Sequence, residues 1–180
     1  MDITEFFQQS SGKWFSQRSS HHLAASTSEN GRSDIVIETL PSDSPEVIKL
    51  CTQHAIDPAR ALFGVQSKWT GAMDASTTKQ SGVALLVLVS DGEQPNAGQV
   101  LRDLGNGDRT AGSGRYFMGD DDSLTLITES ETLLLEERLW FASPNLRLRT
   151  NVLKTHDGFS VATFFSEIRM GLTAKPADAA

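Results

Sequence analysis

Cysteine is nearly missing from these 180 residues, with Cys51 the only one. A single thiol excludes an internal disulfide framework and a cysteine-rich zinc site, and it suits a reducing compartment. Histidine is sparse as well. His21 and His22 are neighbours in a strand-like run and point to opposite faces, His54 falls on a helical segment and His156 in a turn. No pair has metal-ligand spacing, so no metal is expected. Positive charge is in deficit, 16 basic against 23 acidic residues for a net charge of -7, which leaves a surface that repels nucleic acid and anionic lipid. Any basic site must therefore be local. No apolar run is long enough to span a bilayer, and the opening "MDITEFFQQSSG" lacks the charged-then-apolar order of a secretory leader. We expect no nucleic-acid partner, no membrane span and a cytoplasmic location. An obvious nucleophile is absent too: Cys51 has no base at short range, and "GDDD" at Asp120–Asp122 lacks the alternating ligands and distant Glu of a calcium loop.

What the chain does contain is a succession of short β-prone runs. They fall near residues 13–24, 33–40, 65–72, 81–89, 97–104, 110–118, 123–130, 132–140, 145–154 and 159–170, separated by "LGNGDR", "GDDDS", "SPN" and "HDGF". These turns carry Gly, Pro, Asn or Asp where a hairpin needs a special φ. Two segments read as helices. "ITEFFQQ" places Ile3, Phe6 and Phe7 for packing, and "SPEVIKLCTQHAI" offers Ser44 as cap, Pro45 at the first helical position and Val47, Ile48 and Cys51 at helical spacing. The length suits one domain, residues 1–172, with 173–180 expected to be disordered. In the last strand Phe159, Val161, Thr163, Phe165, Glu167 and Arg169 share a face that is neither dry nor fully polar. Such mixed faces fit a barrel whose lumen holds a ligand with polar groups, or a curved sheet with one half-wet side.

"SGKW" sets Gly12 and Trp14 in a G-x-W pattern at the start of the first strand. This resembles the calycin superfamily of lipocalins and fatty-acid-binding proteins, in which that Trp closes the barrel base beneath an Arg from the last strand. Arg169 is placed to be that Arg. The expected fold is thus all-β, an antiparallel calycin barrel of about ten strands with a short N-terminal helix and one helix between strands 2 and 3.

The stretch "EERLWFASPNLRLRT" raises the sharpest question, because Arg147 and Arg149 stand on one face of a strand with Leu146 and Leu148 on the other. Such a stripe is either solvent-facing or able to hold a ligand with two acid groups. The carboxylate facing it depends on the turn: an odd loop such as Ser143–Asn145 brings Glu137 to the arginine face, and an even one brings Glu136, Arg138 and Trp140.

"GRYFMGDDDSLTLITESETLLLEERLWFASPNLRLRTNVLK" and "FFSEIRMG", with "GKWFSQRSSHHLA" and "SPEVIKLC", resemble the CpcS/CpeS-type phycobiliprotein lyases over nearly the whole chain. The resemblance implies a barrel that binds a linear tetrapyrrole, phycocyanobilin or phycoerythrobilin, and passes it to a cysteine of an apo-phycobiliprotein subunit as a thioether. The bilin is substrate, and no metal or nucleotide cofactor is implied. By family spacing the acidic residue at the pyrrole nitrogens falls on Glu137, with Glu136 as alternate. Arg147 and Arg149 would pair the propionates, Arg18 would add a third positive group, and Trp69 and Trp140 would supply aromatic faces. A homodimer, or a heterodimer with a related subunit, in cyanobacterial cytosol or plastid stroma completes the expectation. Ser130, Asp74 and Ala75 stand where the family often carries aromatics, which leaves the choice of bilin open. A non-catalytic pigment or lipid carrier and a partner subunit of a heterodimeric lyase are the alternatives.

Overall fold

The computed structural model describes residues 1–23, 25–74, 78–92, 96–103, 112–129, 131–155 and 158–171. The expected tail at 173–180, the whole of "LGNGDR", and Ala75, Ser130 and His156 lie outside them. The chain runs α1 (Ile3–Ser10), β1 (Gly12–His22), β2 (Thr27–Leu40), α2 (Pro45–Gln53), a 3-10 turn at Pro58–Arg60, β3 (Ala61–Met73), β4 (Gln80–Ser90), β5 (Ala97–Asp103), β6 (Ser113–Met118), β7 (Leu124–Glu129), β8 (Leu133–Ser143), β9 (Leu146–Thr155) and β10 (Ser160–Arg169). The ten strands pair antiparallel with their neighbours, and β1 pairs with β10 to close the barrel. Closure removes every free sheet edge.

Strand existence matches the expectation, while boundaries differ, most of all at the starts of β2 and β3. β2 begins at Thr27 and β3 at Ala61, each several residues before its apolar alternation starts. The polar run "TSENGR" pairs with β1 across His22↔Thr27 to Gln17↔Arg32, so ladder hydrogen bonds decide its conformation rather than burial.

Two apolar cores sit on opposite sides of the wall. The first plugs the barrel floor: Ile3, Phe6 and Phe7 of α1 meet the inward-facing Trp14, Ile37, Val65, Leu88, Val100, Tyr116, Leu124, Leu126 and Leu139. α1 is fixed there by a capping box in which Asp2 and Glu5 satisfy each other's backbone N–H groups. The second core lies outside, where Val47, Leu50 and Cys51 of α2 cover Ala61, Leu85, Val87, Val89 and Leu101. Pro45 takes the first helical position as expected, but the Ser44 hydroxyl bonds the Pro41 carbonyl and does not cap the helix. Ile48 is exposed, on the side of α2 away from the barrel.

Trp14 joins both ends of the chain at the floor. Its indole N–H donates to the Ser10 carbonyl at 2.8 Å, and the Arg169 guanidinium lies 4.2 Å from its ring centroid. Arg169 also donates to the carbonyls of Ser11 (2.8 Å) and Gln9, which ties β10 to the end of α1. Gly12 has φ +122°, and a Cβ there would lie 3.1 Å from Arg169 Nη1, so glycine serves both the turn and the stacking. Asp121, in the β6–β7 turn, accepts from the Ser123 hydroxyl and backbone and pairs with Arg138, while Asp122 adopts φ 59°. The run is a braced hairpin turn.

Candidate functional site

Above the apolar floor the inward faces become polar. Strand pairing puts cross-strand partners on one face, so the register reads out rings of side chains around the lumen. One ring carries Phe141, Arg147, Glu167, Ser16, Ser33 and Gly71. Its neighbour carries Leu139, Arg149, Phe165, Arg18, Gly31 and Met73. A third holds Leu126, Glu137, Asn151, Thr163 and Ser20.

Both arginines of the "LRLR" stretch thus face inward, but their situations differ. Arg147 is 3% exposed, and its Nε donates to Glu167 Oε2 at 2.6 Å. Its guanidinium also lies 5.3 Å from the Trp14 ring. Arg147 is thus buried above the floor and already paired with Glu167. Glu167 is fully buried; burial would raise its carboxyl, yet the Arg147 and Arg149 charges and a Ser16 hydrogen bond outweigh that and hold it below the ordinary carboxylate range. Arg149 is looser. It sits 3.7 Å from Glu167 and 3.9 Å from Glu137, its guanidinium lies 3.8 Å from the Phe165 centroid, and its Nε has no hydrogen-bond partner.

Glu137 is the carboxylate on the arginine face, and Glu136 is not. Glu136 pairs with Ile127 and Val152 on the outer wall and is exposed. Trp140 pairs with Leu148 and also faces outward, so it cannot line the lumen as expected. The cause is local. Ser143 pairs with Leu146 across a two-residue Pro144–Asn145 turn, an even loop that would have turned Glu136 inward. A register shift between Phe141 and Ser143 inserts one residue, Ala142, and reverses the alternation.

Glu137, 7% exposed, also pairs with Arg102 of β5, a buried arginine that sequence reasoning missed. Arg102 follows the buried Val100 at two-residue spacing on β5, and that spacing was the signal for it. Arg18 stands on the inner face near the open end, contacts Met73, and has no carboxylate at ion-pair distance among the described residues. The inner face therefore sets Arg18, Arg102, Arg147 and Arg149 against Glu137, Glu167 and the exposed Glu29 beside His22, a surplus of positive charge inside a protein of net charge -7. Thr128 Oγ1, Asn151 Oδ1, Arg149 Nε and Glu167 Oε1 are buried on this face without hydrogen-bond partners. Unpaired buried polar atoms are costly, and their clustering marks a surface built to meet a polar ligand. Trp69 lies on the inner face of β3, between Ile35 and Gly82.

Such an inner face suits a long, conjugated dianion. Arg18 and the loosely paired Arg149 can meet two carboxylates, Phe165 and Trp69 offer ring faces, and Glu137 can accept hydrogen bonds from ring N–H groups.

Sequence comparison decides the family, because the CpeS-like protein family matches residues 2–170. The chain belongs to that family. It is similar to a chromophore lyase CpcS/CpeS of Thermosynechococcus vestitus, 51% identical over 96% of this chain and 95% of the relative. A phycocyanobilin lyase subunit CpcS of Picosynechococcus is 38% identical over 99% of this chain and 91% of the relative. Among solved structures, the S-type phycobiliprotein lyase CPES from Guillardia theta superposes with TM-score 0.85 at 32% identity, over 96% of this chain and 95% of that one. The all-β barrel expected from the sequence is the fold of this family member. No helix among the described residues is long and apolar enough to cross a membrane.

Proposed function

We infer that this CpeS-like protein is a phycobiliprotein chromophore lyase, an enzyme that binds a linear tetrapyrrole and hands it to a cysteine of an apo-phycobiliprotein. The observation that carries the reading is the inner face with its four arginines and inward Glu137, together with membership of a family whose relatives are named as chromophore lyases. Phycocyanobilin or phycoerythrobilin is the substrate class.

Arg149 and Arg18 are the cations for the two propionates. They share one ring, two strands apart with Phe165 between them, which at the usual strand spacing sets their backbones about 10 Å apart. Arg102 and Arg147 are committed to Glu137 and Glu167 and serve to hold those carboxylates in place. Glu137 accepts from pyrrole N–H groups, and Trp69 and Phe165 flank the conjugated system. In the transfer, the acceptor's thiol sulfur bonds to the exocyclic carbon of the ring A ethylidene. The carbon–carbon double bond becomes single, the thiol proton ends on the tetrapyrrole, and no oxidant or reductant is consumed. The lyase contributes orientation and a fixed charge beside the ring nitrogens. Cys51 takes no part: it is buried beneath α2, and burial pushes its thiol above the ordinary range. No metal or nucleotide enters the step.

The location proposed is cyanobacterial cytosol or plastid stroma. The assembly proposed is a homodimer or a heterodimer with a related subunit, supported by exposed Phe164 and Ile168 on the outer wall beside Leu148 and Trp140. The test of the ligand reading is a titration with phycocyanobilin and with its dimethyl ester. The diacid should bind at least tenfold more tightly; equal affinity would remove the propionate contacts.

A further inference from the structure

We propose that Gly82 is a positioning residue for the ligand wall, acting through Trp69. The two are direct cross-strand partners on the lumen face of β3 and β4. A Cβ added to Gly82 would lie 2.7 Å from Cε2, Cζ2 and Nε1 of Trp69, so the edge of the indole rests over a bare Cα. That is far inside van der Waals contact, and an indole, unlike the end of a lysine, cannot bend out of the way; the ring must turn as a body.

The direction of that turn matters. The inner wall beside Trp69 is lined by small residues, Ser67 and Gly71 on its own strand and Ala84 on the next. Beside such small neighbours no bulky side chain on β3 or β4 holds the indole down. A methyl group at position 82 therefore lifts the indole off β4 toward the lumen and tilts the aromatic face that a conjugated ligand would meet. Gly82 has φ in the ordinary extended range, so no backbone requirement explains a glycine there. Contact with the indole does. Gly31 gives the contrast, since a Cβ there would meet Arg18 Nε at 2.9 Å, and that flexible arm can swing aside.

The affinity arm of this inference rests on the bilin reading above; the positioning itself does not. The experiment compares the parent, Gly82→Ala, Trp69→Ala and the double variant. In phycocyanobilin titrations Gly82→Ala should weaken binding about tenfold, while the same change in the Trp69→Ala background should alter it less than twofold. Parent-like affinity in Gly82→Ala, or the same loss in both backgrounds, overturns the proposal. Without ligand, the indole N–H resonance of Trp69, assigned by its disappearance in Trp69→Ala, should shift in Gly82→Ala while those of Trp14 and Trp140 stay. An unmoved Trp69 resonance overturns it. If the parent fails to bind bilin but the resonance shifts, the bilin reading falls and the positioning stands. If Gly82→Ala does not fold, the double variant should, because the clash is gone; an unfolded double variant overturns the proposal.

Discussion

Replacing Arg147 and Arg149 separately by Gln should give opposite phenotypes, although they sit two residues apart on one strand face. Arg147→Gln removes the close partner of Glu167, which is 0% exposed, and leaves that carboxylate buried with Arg149 at 3.7 Å and the Ser16 hydrogen bond. Breaking a buried pair from one side costs about 3–5 kcal/mol. For a chain of this size each kcal/mol moves the melting temperature by roughly 2–4 °C, so the midpoint should fall by about 6–20 °C. Arg149→Gln removes only the longer contacts at 3.7 and 3.9 Å from a partly exposed side chain, and the melting temperature should move by a few degrees at most. Its effect belongs to the ligand. Losing a charge-assisted contact of about 1.5–3 kcal/mol weakens binding by roughly 10- to 150-fold. The assay is thermal unfolding by circular dichroism with phycocyanobilin titration of the same samples. An Arg147→Gln variant that melts like the parent and loses bilin affinity, beside an Arg149→Gln variant that binds normally, would refute the division of roles.

Other substitutions separate the remaining parts. Glu137→Gln should slow covalent transfer by about 10²- to 10³-fold, the usual worth of one preorganised electrostatic contact, while Glu136→Gln on the outer wall transfers at the parent rate; single-turnover transfer with saturating bilin checks both. Arg169→Ala should lower the melting temperature by several degrees, through the lost stacking on Trp14 and the lost bonds to the Gln9 and Ser11 carbonyls, with bilin binding retained by the folded fraction. Glu167 has its carboxyl held below its ordinary value of 4.5, so the unfolded chain takes up that proton first. Its stability is fully present above 4.5 and is lost as pH falls through the lower folded value. Urea midpoints between pH 7 and pH 3 should therefore fall less steeply in Glu167→Gln than in the parent.

The elements that periodicity and turn chemistry control were legible in the sequence: ten strands, α1 with Phe6 and Phe7, and α2 with Pro45 at its start. Gly12, Trp14 and Arg169 were legible as a constellation, since each comes from a short motif at a chain end and the barrel brings those ends together. The division between Arg147 and Arg149 was not, because the partner that buries Arg147 is Glu167 on the next strand, and only the β9–β10 register pairs them. Arg102 reaches Glu137 from a strand that is not its neighbour, a contact fixed by closure of the barrel rather than by any local pattern. Trp140 was misplaced, and Glu136 kept as alternate, because the inserted Ala142 changes strand parity without a glycine to announce it. Glu137 was reached through family spacing and an assumed three-residue loop; the parity held, but a bulge beside a two-residue turn produces it.

Covalent transfer tests the central claim most directly. Purified protein is mixed with phycocyanobilin and an apo-phycobiliprotein subunit, the mixture is denatured in acid, and colour is sought on the separated acceptor. The account predicts acid-stable colour that requires the lyase and an acceptor cysteine, persists in Cys51→Ser and drops sharply in Glu137→Gln. Tight bilin binding with no colour on any acceptor subunit offered would contradict it and leave a carrier.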